Sequence, residues 1–366
     1  MRYQLVCLES FGYTVPEEII STDEIERRLA PVYERLRMPA GRLELMTGIR
    51  ERRLWSSGTL PSDKSIPSAQ RAIEAAGIDR CEIGALIHAS VCRDHLEPAT
   101  ACRVHHELGL PQSCVVYDVS NACLGILNGM LQVANMIELG QIRAGIVVGT
   151  EDSRSLLETT IEQLNRNESL TRSEIKLAVA SLTIGSASCA VLLTHRSLTR
   201  TNNRLVAGAA RANTQWHQLC HSVADEASGS TAPLMTTDSE RLMAEGISTG
   251  VATFNDFLAE TRWQATDVQR TFCHQVGSAH RRLMLESLGL STENDFATLE
   301  WLGNTGSAAL PTTMAIGLQQ GFVAPGQRLA MLGIGSGINC VMLGVEWRKT
   351  LVAGNDDAVP QAVAAR

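Results

Sequence analysis

The chain has 366 residues, a formal net charge of −7, 44% hydrophobic residues and only 4% aromatic ones. That length is enough for two domains or two packed halves around a large core, and the shortage of aromatics leaves the packing to Leu, Ala, Val, Ile and Met. No basic stripe offsets the acidic balance, so nucleic acid is not expected as a partner, although local Arg clusters still suit a phosphate.

In chain order, residues 1–9 lack an apolar h-region with a cleavage site, and no apolar run approaches the length of a membrane span. A cytoplasmic protein without a membrane span is therefore expected. Extended patterns are read over 4–11, 83–90, 114–119, 142–149 and 188–194, with helical periodicity over 22–36, 65–76, 99–108, 124–139 and 172–182. Strands alternating with helices predict an α/β fold with a mostly parallel sheet covered on both faces. Beyond these come a helix over 239–261, a strand ending near His274, a helix over 278–288, the block 299–321 and the apolar run 328–347. Residues 350–366 carry no turn grammar, and a disordered tail is expected there.

The two halves echo each other. Strand 115–119 leads through Asn121-Ala122-Cys123 into a helix, then Gly140-Gln141 and a strand over 144–148. Residues 299–302, read as a strand, lead through Gly303-Asn304-Thr305-Gly306-Ser307 into a helix over 308–320, then Gly326-Gln327 and a strand over 329–333. A duplicated unit is expected, with halves at 1–200 and 201–349. Ligand chemistry in such sheets gathers at the carboxyl ends of strands, where both turns lie.

The ten cysteines are scattered without a Cys-x-x-Cys pair, so neither a disulfide framework nor a zinc ribbon is indicated. Cys92 with His95, His105 with His106, and Cys220 with His221 are the close groupings, and no metal is expected from them. Cys123 stands apart because an apolar strand and a small-residue turn place it at a helix N-terminus, where the dipole lowers a thiol pKa and favours a nucleophile. A thiolate nucleophile works with a proton-managing histidine and with oxyanion donors. His274, in Thr271-Phe272-Cys273-His274-Gln275-Val276-Gly277, and Asn304, in the second-half turn, are the candidates. Read singly, each has an ordinary alternative as a partly buried histidine and as a helix N-cap.

Cys123, His274 and Asn304 in this order, together with Thr47-Gly48-Ile49-Arg50-Glu51-Arg52-Arg53 and Gly333-Ile334-Gly335-Ser336-Gly337, resemble the thiolase superfamily and its ketoacyl-ACP synthase III branch. Ala30-Pro31-Val32-Tyr33-Glu34-Arg35-Leu36, Arg42-Leu43-Glu44-Leu45-Met46, Leu96-Glu97-Pro98-Ala99-Thr100 and His274-Gln275-Val276-Gly277-Ser278 are similar to the OleA type, which joins two long-chain acyl-CoAs head to head. The resemblance implies a duplicated five-layer αβαβα thiolase fold with two mixed central sheets, in an obligate homodimer. Two departures touch CoA docking: Gly277 stands where the synthase III branch has Asn, and no Trp precedes the Thr-Gly-Ile-Arg segment.

The resemblance also implies a mechanism. Cys123 takes the first acyl group as a thioester, with the backbone N–H groups of Cys123 and of the loop at Ser336 holding the oxyanion. His274 and Asn304 donate to the enolate of the second thioester, and Glu97, reaching over from the partner subunit, serves as the base. Without the resemblance, Glu97 reads equally as an acidic residue at a helix start. Arg50, Arg52, Arg53, Arg281 and Arg282 are candidate phosphate contacts, and CoA thioesters are expected as substrates with no permanently bound cofactor. Segments 156–170, 175–184 and 243–258 offer apolar side chains for an acyl channel.

The leading expectation is a non-decarboxylative Claisen condensation of two long-chain acyl-CoAs to a 2-alkyl-3-oxoacyl product. A decarboxylative synthase using malonyl-ACP and a non-catalytic acyl-CoA-binding partner subunit are the alternatives. An acyl carrier protein or a downstream enzyme is a further candidate partner. A thiol redox role lacks a resolving cysteine at short spacing.

Overall fold

A computed structural model describes residues 1–223, 234–355 and 359–360. Ten strands join in one mixed sheet: β1 (Val6–Thr14), β2 (Ile83–Ala89), β3 (Val115–Val119), β4 (Ala144–Glu151), β5 (Ala187–His195), β6 (Arg204–Ala212), β7 (Arg270–Cys273), β8 (Arg328–Gly335), β9 (Asn339–Glu346) and β10 (Val352–Ala353). Their order is β7-β8-β9-β6-β1-β5-β4-β2-β3, with β10 beside β1. Strands β1 and β6 share one paired position, Cys7 with Arg204, so the sheet divides there into two halves.

Each half repeats one pairing scheme. In the first, β1/β5 and β5/β4 are antiparallel, and β4/β2 and β2/β3 are parallel. In the second, β6/β9 and β9/β8 are antiparallel and β8/β7 is parallel, with a lone parallel bridge from Thr271 to Asp295 where a fifth strand would lie.

Because successive side chains on a strand point to opposite faces, each sheet half feeds two cores. Ala85, Ile87 and Ala89 of β2, and Leu329 and Met331 of β8, enter one central core with the helices α3 (Gly125–Glu138) and α6 (Ala309–Gln319). Ile83 and Leu86 instead face α1 (Pro61–Ala76) and α2 (Thr100–Glu107), while Ala330, Leu332 and Ile334 face α4 (Ser239–Thr261) and α5 (Ser278–Ser287). The result is five layers, αβαβα. Helices α3 and α6 are sandwiched between the two halves of the sheet and so are apolar nearly all round: every residue of α6 from Ala309 to Leu318 is buried. Burial of a side chain such as Leu127 or Met130 contributes roughly 1.5–3 kcal/mol.

Several local expectations change. The helix foreseen over 22–36 is two helices, Thr22–Arg28 and Ala30–Arg35, because Pro31 has no N–H with which to continue the first. Residues Leu299–Leu302 form a helical turn rather than a strand, since the chain has already made its contact with the sheet at Asp295. The apolar run 328–347 resolves into the antiparallel pair β8 and β9. In the expected tail, Val352 and Ala353 pair in parallel with Phe11 and Gly12, and the Asn355 side chain bonds both the N–H and the carbonyl of Val15. That stretch of 350–366 is therefore held in place, while 356–358 and 361–366 lie outside the described residues. Among the described residues no helix is long and apolar enough to cross a membrane.

Candidate active site

Cys123 lies between β3 and α3, in a turn where Ala122 has φ +44°, a left-handed conformation that a non-glycine residue adopts rarely. The turn is tied across to the second half. Gly335, the last residue of β8, faces it so closely that a Cβ there would lie 3.5 Å from the Cys123 nitrogen and 3.6 Å from its Cβ. The Asn339 Nδ2 then donates to both Asn121 Oδ1 (3.4 Å) and the Ser336 carbonyl (3.2 Å). Ser336, which follows Gly335, is thus held near Cys123 by the close approach of two backbones.

The thiol does not follow the expectation of a lowered pKa. Burial pushes it up to about 12, with the charge of Glu151 and the neighbouring Cys220 adding in the same direction. The first N–H groups of the helix are also engaged locally, Leu124 with the Asn121 carbonyl and Gly125 with that of Ala122. Desolvation therefore outweighs the helix dipole. Alkylation of Cys123 by iodoacetamide is expected to rise about tenfold per pH unit from pH 7 to 9 without levelling. An inflection below pH 8 in mass-spectrometric labelling would contradict this.

His274 follows β7 directly, and its N–H donates to the Leu332 carbonyl of β8 at 2.9 Å, three residues before Gly335. It is 1% exposed, and neither Nδ1 nor Nε2 has a protein partner. Burial, reinforced by His280, pulls it down to about 3, so the ring is neutral and keeps one N–H to donate. Asn304 is fixed by its backbone, with its N–H on the Thr183 carbonyl (2.9 Å) and its carbonyl taking the Gly185 N–H (2.9 Å). Its Oδ1 accepts the Gly306 N–H at 3.1 Å. Ser307, which ends this turn, packs against Gly125 at the start of α3: a Cβ on Gly125 would meet the Ser307 Cβ at 3.4 Å. The ends of β7, β8 and β3 thus gather His274, Ser336 and Cys123, with the Asn304 turn against the same helix start.

Glu97 stands apart from this group. It is exposed, in the segment between β2 and α2 that also exposes Val91 and Leu96. The five candidate arginines differ in burial, and two of them are closed to a phosphate. Arg52 is fully buried, donating to Thr22 Oγ1 (2.9 Å) and the Leu182 carbonyl (2.7 Å), and burial lowers it to about 10. Arg53 is buried too, donating to the Pro16 carbonyl and lying over the Trp301 ring. Arg281 is committed to Asp295, through Nε to Oδ2 at 2.5 Å and Nη2 to the Asp295 carbonyl at 2.6 Å. Arg50 pairs with Glu300 on the surface, and Arg282 is an exposed neighbour of Glu286, so these two are the exposed ones of the five.

Asp295 in turn accepts the Cys273 N–H (3.0 Å) and so fixes the strand end that presents His274. Burial pushes its carboxyl up to about 6 even against the opposing pull of Arg281. A carboxyl raised above its unfolded value loses stability as pH climbs from its unfolded to its folded pKa, here from about 4 to 6. Removing Arg281 raises it further. Arg281→Ala is therefore expected to cost about 3 kcal/mol at pH 8 and clearly less at pH 5 in urea unfolding, where Asp295 is protonated. Equal losses at both values would refute this account.

An apolar cavity of about 200 Å³ opens between the helices Ala30–Arg35, Arg42–Thr47, Arg154–Arg166 and Arg172–Ala178. Leu164, Ile175, Val179 and Leu182 line it, and Arg42 and Lys176 stand around it. The segment 243–258, also expected at a channel, packs instead into the outer core through Phe254 and Phe257. Sequence reasoning missed Glu151, Ser307, Asn339 and Asp295. Only the Gly303–Ser307 turn carried a signal, through its likeness to the Cys123 turn.

Residues 59–219 match the thiolase N-terminal domain family, and residues 258–347 match the 3-oxoacyl-[acyl-carrier-protein] synthase III C-terminal family. The acyl-CoA:acyl-CoA alkyltransferase of Shewanella oneidensis is 42% identical over 351 residues, covering 95% of this chain and 100% of that protein. The protein of the same name from Xanthomonas campestris is 33% identical over 347 residues, covering 95% and 100%. Among solved structures, Xanthomonas campestris OleA with a Glu→Gln substitution superposes with a TM-score of 0.89 at 32% identity, covering 95% of this chain and 98% of that one. A Cys→Ser variant with bound lauric acid and lauroyl-CoA gives 0.88 at 32% identity, covering 94% and 100%. The chain belongs to the acyl-CoA:acyl-CoA alkyltransferase family of thiolase-fold condensing enzymes.

Proposed function

We propose that this protein condenses two long-chain acyl-CoAs head to head by a non-decarboxylative Claisen reaction. The observation that carries the reading is the buried, neutral imidazole of His274, unpartnered at both nitrogens, at the end of β7 and bonded through its backbone to β8, whose own end at Gly335 abuts the Cys123 turn.

In the first half-reaction the Cys123 Sγ bonds to the carbonyl carbon of one thioester, the carbon–sulfur bond to CoA breaks, and the thiol proton leaves on CoA. The Cys123 and Ser336 N–H groups face the oxyanion; one such donor is typically worth about 3–4 kcal/mol in the transition state. In the second half, Glu97 of the partner subunit removes the Cα proton of a second acyl-CoA. The enolate oxygen takes hydrogen bonds from His274 and from the Asn304 amide. A neutral His274 suits this task, because it donates without trapping the proton. The carbanion attacks the acyl-Cys123 carbonyl, a carbon–carbon bond forms, the Cys123 thioester bond breaks, and the thiolate recovers the proton from Glu97. The product is a 2-alkyl-3-oxoacyl-CoA, or the free acid after hydrolysis.

The trans role of Glu97 is supported by its exposure on a loop flanked by exposed Val91 and Leu96. In Xanthomonas campestris OleA the substituted glutamate precedes the substituted cysteine by the same sequence separation as Glu97 precedes Cys123. We assign halves at 1–200 and 201–349, a homodimer, and the apolar cavity near Val179 to an acyl chain. All ten cysteines are free, in keeping with a reducing cytoplasm. Incubation with one defined long-chain acyl-CoA and no malonyl donor tests the reaction. A product mass equal to two acyl chains joined at Cα is expected, and dependence on malonyl-ACP would replace the reading with a decarboxylative one.

A further inference from the structure

The carboxylate of Glu151 takes no part in the steps above, yet it lies where the catalytic segments meet. Glu151 ends β4 and is 5% exposed. Its Oε1 accepts the Ser307 hydroxyl (2.5 Å), the Ser307 N–H (3.2 Å) and the Val91 N–H (3.1 Å), and its Oε2 accepts the Cys92 N–H (3.3 Å). Val91 and Cys92 begin the segment that runs to Glu97. The middle of that segment is anchored separately, by the Asp94 N–H on Thr100 Oγ1 (3.1 Å) and by the Ser62 N–H on Asp94 (2.9 Å). Ser307 closes the turn that carries Asn304. That turn is pressed onto the same side chain: Gly306 has φ +56°, and a Cβ there would lie 3.0 Å from Glu151 Cγ. Ser307 also packs against Gly125, two residues past Cys123, and the Ala89 carbonyl, 3.1 Å away, is a second and longer acceptor for its one hydroxyl proton.

We infer that Glu151 is a positioning residue that fastens the segment bearing Glu97 and the turn bearing Asn304 to one buried carboxylate beside Cys123, setting both for the carbon–carbon bond-forming half of the reaction. One carboxylate thereby couples a subunit's own enolate-holding turn to the base it offers its partner. The inference rests on the proposed two-step condensation. The physical basis is that hydrogen bonds to an ionised acceptor are the firm ones, and that misplacing a reacting group by about 1 Å costs about 10²-fold in rate. The acylation step uses Cys123 and backbone donors, so it depends less on this link.

Full-length Glu151→Ala, Glu151→Gln and Ser307→Ala proteins test it through two readouts, acyl-Cys123 formed in a single turnover and steady-state condensation product. Glu151→Ala is expected to lower condensation about 10²-fold while acylation falls less than tenfold. Glu151→Gln retains an oxygen acceptor and is expected to restore most of that loss; it also moves the pH profile of Cys123 alkylation downward, because a charge beside the thiol is gone. Ser307→Ala is expected to lower the ratio of condensation to acylation severalfold. Loss of both half-reactions in equal measure, or a Ser307→Ala ratio equal to the native one, overturns the inference even if Glu151→Ala fails to fold. Amide exchange needs no substrate: Glu151→Ala should loosen Val91, Cys92 and Ser307 together. A native protein that forms no acyl-Cys123 would sink the proposed function instead, while unchanged exchange at those three amides sinks the Glu151 link.

Discussion

Cys123→Ala is expected to abolish condensation, with turnover lower by at least roughly 10⁴-fold, and to remove the acyl adduct from the intact-protein mass spectrum. The size of the effect follows from covalent catalysis: without the sulfur there is no thioester to receive the carbanion, and no neighbouring side chain substitutes. Cys92 and Cys220 do not. Cys92 is engaged with the Asp152 backbone through its sulfur, at 3.4 Å from the N–H and 3.5 Å from the carbonyl, and Cys220 accepts the Thr237 hydroxyl at 3.4 Å. The fold should tolerate the change, since the turn is held by Asn339, Gly335 and the Leu124 and Gly125 N–H groups rather than by the thiol. Retained turnover in a variant with native circular dichroism would remove the nucleophile from the mechanism.

Glu97→Gln is expected to separate the two half-reactions. Condensation should fall about 10³-fold, within the range for loss of a general base, while acyl-Cys123 still forms and accumulates. Mixing decides in which subunit the carboxylate acts. When Glu97→Gln and Cys123→Ala subunits are refolded together, a base that crosses the interface restores one site in each mixed dimer, about a quarter of the sites present in a native preparation. A base that serves its own subunit restores none. The exposed position of Glu97 on the isolated chain is what makes the crossing geometry the stronger expectation.

How legible the protein was from its residues varies by element. The strands 83–90 and 188–194 and the helices 65–76 and 239–261 announce themselves by hydrophobic period, because each buries a continuous face and the pattern records it. Strand β6, Arg-Leu-Val-Ala-Gly-Ala-Ala-Arg-Ala, was not foreseen: small residues carry little β signal, and its extended form comes from pairing along nearly its whole length with β9. Helix Arg154–Arg166 was seen only as an apolar stretch for a channel. The proposed trio of Cys123, His274 and Asn304 was readable as a family pattern, whereas the burial of the arginines was not. A buried Arg52 held by Thr22 and the Leu182 carbonyl and an exposed Arg50 look alike as letters, and only packing separates them.

The sequence by itself determined the α/β class, the internal echo of the two halves, and the small-residue turns that carry the Cys123 thiol and the Asn304 carboxamide, since all of these follow from local period and turn chemistry. Tertiary structure alone decided the protonation of those groups and the company they keep. Desolvation and through-space charge overrode the helix dipole at Cys123, while packing left both His274 nitrogens without protein partners and brought Glu151 against two segments far apart in the chain. The reason is physical: a pKa and a hydrogen-bond partner are properties of surroundings assembled from distant residues, and no local pattern encodes them.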